Sequence, residues 1–253
     1  MPSHPEYTSF RGIFPSLAHG ANSFPNRGEM AEPERGREGC HGAKQPWRGG
    51  ALPIDQLRGP RLQAALAALP EWRRAEALAY KFESGQAQCA AAYLLLCRIL
   101  RECYGITEQP RFIIGEHGKP ELDLSAGLHF NLSHCKEAVA AVVAEEPVGI
   151  DVEMRGRYRP SLAEYVCSPE ELRWLEDGDR VGQDSLTPGE NEGDCGRDLR
   201  FTQLWTRKES ALKLLGTGIT GSEGLKGLLA EDRFLFDTRI YPRYVCTIAT
   251  FRK

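Results

Sequence analysis

Asp151 and Glu153 stand two residues apart in Gly149-Ile150-Asp151-Val152-Glu153, directly after an apolar run. Residues at i and i+2 of a strand share one face, which would set the two carboxylates roughly 6.6 Å apart. Like charges that close require a cation. Carboxylate oxygens suit Mg²⁺, which takes one or two protein carboxylates and completes its shell with waters and substrate phosphates. The chemistry in view is a metal and phosphate site. The alternative is that an Asp-x-Glu strand simply turns its charged face to water.

A second set of reactive side chains falls in Trp205-Thr206-Arg207-Lys208-Glu209-Ser210-Ala211-Leu212-Lys213. At helical spacing Phe201, Leu204, Trp205, Ala211, Leu212 and Leu215 share an arc of about 120°, the buried side of a helix. Lys208 projects into the middle of that arc, while Glu209 and Lys213 line its edge one turn apart. An unpaired buried ammonium is costly, so Lys208 must either reach past the apolar stripe or meet an anion.

The elements that would position these groups follow from periodicity. Leu62–Leu66 has helical spacing until Pro70. Helices are expected over Glu71–Phe82, carrying Arg73, Arg74 and Lys81, and over Gln86–Cys103, ended by Tyr104-Gly105. From spacing alone the three basic residues read as ordinary solvated charges. Pro110–Ile114 reads as a short strand, Gly115–Pro120 as a tight turn carrying Lys119, and Leu128–Ser133 as an alternating strand delivering Ser133 and His134. Ala138–Val143 is a continuous apolar strand buried on both faces. After the Glu145-Glu146-Pro147 turn, Val148–Glu153 is expected to return antiparallel to it. Ser168-Pro169-Glu170-Glu171 opens a helix to about Glu176. A further helix over Phe201–Leu215 and strands at Phe234–Thr238 and Tyr244–Ala249 close the chain.

Residues 1–50 contain 8 Gly and 6 Pro without sustained periodicity, so residues 1–51 are expected to form a disordered extension. Asp177–Arg200 holds 7 acidic residues and 5 Gly and reads as an inserted flexible loop. The 253 residues, 41% hydrophobic and 26% charged, suffice for one large or two small domains. A formal charge of −3 argues against a protein held mainly by nucleic acid. Eight cysteines without a C-x-x-C pair point to reduced thiols in a cytoplasmic setting. The N-terminus lacks a signal pattern, and the longest apolar run, Cys89–Cys97, is too short for a bilayer.

Gly118-Lys119-Pro120, Phe130-Asn131-Leu132-Ser133-His134, Gly149–Glu153 and Trp205–Lys213 occur in the order seen in 4'-phosphopantetheinyl transferases of the surfactin-synthetase-activating type. The chain resembles that family over roughly residues 60–250. The resemblance implies an α+β fold, a pseudo-dimer of two similar halves with coenzyme A in the cleft between them. The halves would be residues 52–125 and 126–253. It further implies transfer of the phosphopantetheine arm from coenzyme A to a serine of an apo acyl or peptidyl carrier protein, releasing adenosine 3',5'-bisphosphate. Such chemistry needs charge neutralisation and positioning above all.

Residue by residue, the resemblance implies Asp151 and Glu153 as Mg²⁺ ligands, and Glu209 as third ligand or as the base for the carrier serine. Lys208 and Lys213 would bind coenzyme A phosphates, Ser133 and His134 the nucleotide phosphates, and Lys119 with Pro120 the adenine side. Arg73, Arg74 and Lys81 are further phosphate candidates. A monomer without nucleic acid or membrane partners is expected, and the basic loop Arg155–Arg159 is a candidate surface for an acidic carrier-protein helix. Two other readings remain: a Mg²⁺-dependent nuclease, since the same residues could bind a phosphodiester, and a non-catalytic carrier-binding module.

Overall fold

The computed structural model of the chain describes residues 46–115, 119–123, 127–181, 192–218 and 221–253. Most of the expected 1–51 extension therefore lies outside the described residues. Its last residues do not fit the expectation, because Trp47–Pro53 is a strand, β1. Trp-Arg-Gly-Gly carries no apolar alternation, yet the backbone pairs antiparallel along the whole of β5, Ala138–Ala144. Gly49 permits this: a Cβ there would collide with the Ala141 carbonyl oxygen.

Helices α1 (Pro60–Ala67), α2 (Glu71–Leu78) and α3 (Glu83–Tyr104) follow, then strands β2 (Phe112–Ile114), β3 (Pro120–Leu122) and β4 (His129–His134). Gly105, at φ 70°, ends α3 in the left-handed conformation. The first sheet has the order β1-β5-β4. Every residue of β5 is buried, as expected of a central strand covered on both faces.

Strand β6 (Val148–Met154) does not return against β5. It pairs with β8 (Tyr244–Phe251), which pairs in turn with β7 (Phe234–Ile240), giving a second antiparallel sheet ordered β6-β8-β7. The hairpin expected at Glu145–Pro147 is thus a crossing between sheets. Because β4 and β5 complete the sheet begun by β1, the first sheet runs to Ala144, past the division expected at 126.

The two sheets pack face to face through alternate residues. Ala138, Ala140, Val142 and Ala144 of β5 meet Val148, Ile150 and Val152 of β6 and Cys246 and Ile248 of β8. The other face of β5, with Val139, Ala141 and Val143, is covered by α3, on which α1 and α2 pack in turn. The outer side of the second sheet carries α4 (Pro160–Val166), α5 (Pro169–Val181), α6 (Glu192–Leu215) and α7 (Ser222–Gly227). The α+β class expected from the sequence holds.

Helix α6 begins earlier than Phe201 and takes in 192–200, part of the stretch expected to be a loop. Polar contacts rather than an apolar stripe fix this turn. Asp198 accepts the N–H groups of Gly156 at 2.6 Å and Tyr158 at 3.0 Å, and Arg200 donates to the Leu175 carbonyl at 2.6 Å. Residues 182–191 lie outside the described residues. Helix α5 opens as its sequence implies: Ser168 Oγ accepts the Glu171 N–H at 3.2 Å while Glu171 Oε2 accepts the Ser168 N–H at 2.7 Å, a reciprocal capping box.

Candidate active site

Strand β6 is an edge strand of its sheet, and its free edge faces β4 of the other. Ser133 Oγ of β4 accepts the Val152 N–H at 3.2 Å across that seam. The face of β6 bearing Gly149, Asp151 and Glu153 lies under α6. Gly149 allows the approach, because a Cβ would sit 2.6 Å from the Leu214 amide nitrogen and closer still to the Ser210 carbonyl oxygen. Thr206 of α6 and Thr247 of β8 share a buried hydrogen bond of 2.8 Å and fix the helix over the sheet.

Three side chains from three elements meet at this seam. Asp151 is 4% exposed. Its Oδ1 accepts from Ser133 Oγ at 2.8 Å and from Lys213 Nζ at 2.7 Å, and Lys213 also donates to Ser133 Oγ at 2.8 Å. Lys119, reaching from the other half of the chain, donates to the Lys213 carbonyl at 2.9 Å, a cation at the carbonyl end of α6. The turn that carries Lys119 is closed by the Gly115 N–H on the Lys119 carbonyl. Residues 116–118 lie outside the described residues, whereas Pro120 starts β3.

Glu153 and Glu209 complete an acidic surround. Burial raises the Glu153 carboxyl above its ordinary range and Asp151 adds to the rise, against the lowering by Arg157, whose Nη1 lies 2.9 and 2.8 Å from the two Glu153 oxygens. Burial likewise raises Glu209, with Asp151 and Glu153 adding and Lys213 and Arg157 opposing. His134 is pushed below its ordinary value, first by desolvation and then by Lys213. Burial comes first among the causes of all three shifts, and the Asp151 charge acts on each of the three groups.

Mg²⁺ can be tested against these residues. Asp151 Oδ2 is buried and has no hydrogen-bond partner among the described residues, a carboxylate oxygen left open in a site where mutual repulsion already disfavours negative charge. A divalent cation answers both conditions. Among the described residues, however, no three His, Cys, Asp or Glu side chains converge enough to hold a metal by themselves. The expected triple set of Asp151, Glu153 and Glu209 is not preassembled. What fits is the sparser arrangement usual for Mg²⁺, with one or two carboxylates and the remaining ligands from waters and phosphate.

Two other expectations change. Lys208 is fully buried and does not face the cleft. It pairs with Glu171 Oε2 at 2.8 Å and donates to the Leu225 carbonyl at 2.6 Å, tying α6 to α5 and α7. A coenzyme A phosphate cannot reach it without dismantling that core. Ser133 is equally committed: its hydroxyl donates one bond and accepts two, all within the protein. It orients Asp151 and Lys213 and has nothing left for a phosphate.

Arg73 is held by Glu76 at 2.6 Å and lies over the rings of Tyr93 and Phe112, each 5.6 Å from its guanidinium carbon. Arg74 and Lys81 are exposed, Lys81 lying beside Phe82. None of these three shows a contact with the Asp151 cluster. Two residues escaped the sequence reading. Arg157 gave no signal beyond its loop's basic charge, whereas Glu171 was visible as the fourth residue of Ser-Pro-Glu-Glu but not as the partner of Lys208.

Comparison with known proteins bears on the same residues. The family model of the 4'-phosphopantetheinyl transferase superfamily matches residues 147–252, the part of the chain holding β6 and α6. Over that segment the chain is similar to these transferases. It is 31% identical over 163 residues to 4'-phosphopantetheinyl transferase psf-1 of Bacillus pumilus, covering 63% of this chain and 64% of that protein. To 4'-phosphopantetheinyl transferase gsp of Aneurinibacillus migulanus it is 32% identical over 127 residues, 50% of this chain and 47% of that one. It is also 34% identical over 111 residues to 4'-phosphopantetheinyl transferase AcpT of Salmonella typhimurium, 42% and 50% of the two chains. The chain thus matches between about half and just under two thirds of the length of these relatives.

Proposed function

We propose that this protein transfers the 4'-phosphopantetheine arm of coenzyme A to a serine hydroxyl of an apo carrier protein. The observation that carries the reading is the seam at Asp151, where an open, buried carboxylate oxygen lies beside a lysine that still has a third N–H to offer. The model of the 4'-phosphopantetheinyl transferase superfamily matches residues 147–252, which hold Asp151 and Lys213 of the seam.

In the reaction the serine oxygen attacks the pyrophosphate phosphorus next to the pantetheine arm. A new P–O bond forms, the P–O bond to the adenosine-side phosphate breaks, and adenosine 3',5'-bisphosphate leaves with the electron pair. Glu209 accepts the serine proton. Its raised carboxyl makes it a better base than an ordinary glutamate, as general-base catalysis near neutral pH requires. Lys213, fixed by Ser133 and Asp151, presents its remaining N–H to the charge growing on the leaving phosphate. His134, held toward its neutral form, is a nucleotide contact through an N–H without adding positive charge. Asp151 and Glu153 would hold Mg²⁺. When bound, the ion supplies charge neutralisation for the pyrophosphate.

Coenzyme A and a carrier protein are the expected partners of a monomer in the cytoplasm. Cys89, Cys97, Cys103, Cys135, Cys167 and Cys246 are free thiols, and among the described residues no helix is long and apolar enough to cross a membrane. The test is incubation with Mg²⁺, coenzyme A and several apo carrier proteins, followed by mass spectrometry of the carrier. A mass gain of one phosphopantetheine group is expected, and its absence on every carrier would overturn the reading.

A further inference from the structure

Asp151 and Glu153 are not equally ready for a cation. Lys213 occupies only Oδ1 of Asp151 and leaves Oδ2 open, whereas both oxygens of Glu153 accept from the same nitrogen, Arg157 Nη1. One cation thus lies within reach of both oxygens and competes with a divalent ion for the same carboxylate.

The arginine is held there by its flanking residues. Asp198, in the second turn of α6, accepts the backbone N–H on either side of it, from Gly156 and from Tyr158. Gly156, at φ 87°, takes the left-handed conformation that turns the chain back. The guanidinium carbon also lies 5.7 Å from the Trp205 ring, a cation–π contact from the helix that carries Glu209.

We propose that Arg157 is the resident counterion of Glu153, and that it must be displaced before Glu153 can ligate a divalent cation. The inference rests on the transferase reading only in taking Glu153 as a metal ligand. It makes metal binding a cation exchange, with two linked consequences. Mg²⁺ alone binds against competition from the arginine. Coenzyme A relieves that competition, because its pyrophosphate gives the released planar guanidinium a new anion to which it is well matched.

The experiment is calorimetric titration of Mg²⁺ into the metal-free full chain, with and without coenzyme A, for wild type, Arg157→Gln and Arg155→Gln. Arg155 is the control: it belongs to the same loop and donates to the Pro242 carbonyl rather than to Glu153. Without coenzyme A, Arg157→Gln should bind Mg²⁺ about threefold to tenfold tighter than wild type, the range for losing a charge-assisted competitor. Arg155→Gln should stay within about twofold. Unchanged or weaker binding by Arg157→Gln would overturn the proposal. So would equal tightening by both variants, which would mark a general effect of net charge. If no protein binds Mg²⁺ even with coenzyme A present, the metal site itself falls, a result separable from a failure of the exchange alone.

Discussion

Gly149 of β6 lies beneath Ser210 of α6 with no room for a side chain between them. That contact sets the height of the helix above the strand and so the reach of Lys213 to Asp151, 2.7 Å away. The listening side of the contact is backbone, which cannot rotate aside as a side chain could. Gly149→Ala should therefore cost about 2 to 3 kcal/mol, in the upper part of the usual range for overpacking. It should also lower carrier labelling by the folded protein, because raising α6 withdraws both Lys213 and Glu209. Urea unfolding and carrier mass spectrometry measure the two effects, and an alanine variant with wild-type stability would show that the helix can slide.

Ser133 separates a positioning role from a ligand role. Its removal in Ser133→Ala leaves the buried Val152 N–H without an acceptor, a loss of about 1 to 3 kcal/mol. Lys213 and Asp151 lose their shared anchor, so kcat should fall about tenfold with the KM for coenzyme A changed little. A rise in that KM with unchanged stability would instead make the hydroxyl a phosphate contact.

The acidic and basic residues of the seam were legible because their chemistry and spacing are local: Asp151 and Glu153 share a strand face, and Glu209 and Lys213 share a helix edge. Their meeting was not, since it depends on which strands pair. The turn at Glu145–Pro147 looks like a hairpin from composition alone, yet β8, about a hundred residues later, supplies the partner of β6. Trp47–Pro53 was hidden for a related reason, since a Gly-rich strand gains its place from a close approach to β5 rather than from apolar alternation. Lys208 was read correctly as a problem of burial. Its solution, Glu171, sits in another helix and carries a second task as a capping residue.

Lys208 accordingly belongs to the core. Breaking a buried ion pair by removing one member leaves the other charge uncompensated, so Lys208→Met should lower stability by about 3 to 5 kcal/mol. Pairing it with Glu171→Leu removes the orphaned carboxylate and should restore part of that loss, although the cap on α5 goes with it. Coenzyme A affinity of the folded Lys208→Met protein should match wild type. A selective loss of affinity without destabilisation would return Lys208 to the list of phosphate contacts.

Asp151 offers the sharpest separation of fold from chemistry. Asp151→Asn keeps the side-chain shape and an oxygen for Lys213 and Ser133, but removes the charge that the open oxygen would lend to a cation. Carrier labelling should fall at least about a hundredfold, the scale of losing a main electrostatic group at a phosphoryl-transfer site. Metal linkage supplies a second readout. A ligand that binds only the folded state at about 100 times its Kd adds about 2.7 kcal/mol of stability, so wild type with Mg²⁺ and coenzyme A should melt several degrees higher than with coenzyme A and a chelator. In Asp151→Asn that Mg²⁺-dependent increment should disappear while the melting temperature with chelator stays near wild type. An increment of equal size in both proteins would place the cation elsewhere and leave Asp151 as a structural partner of Lys213.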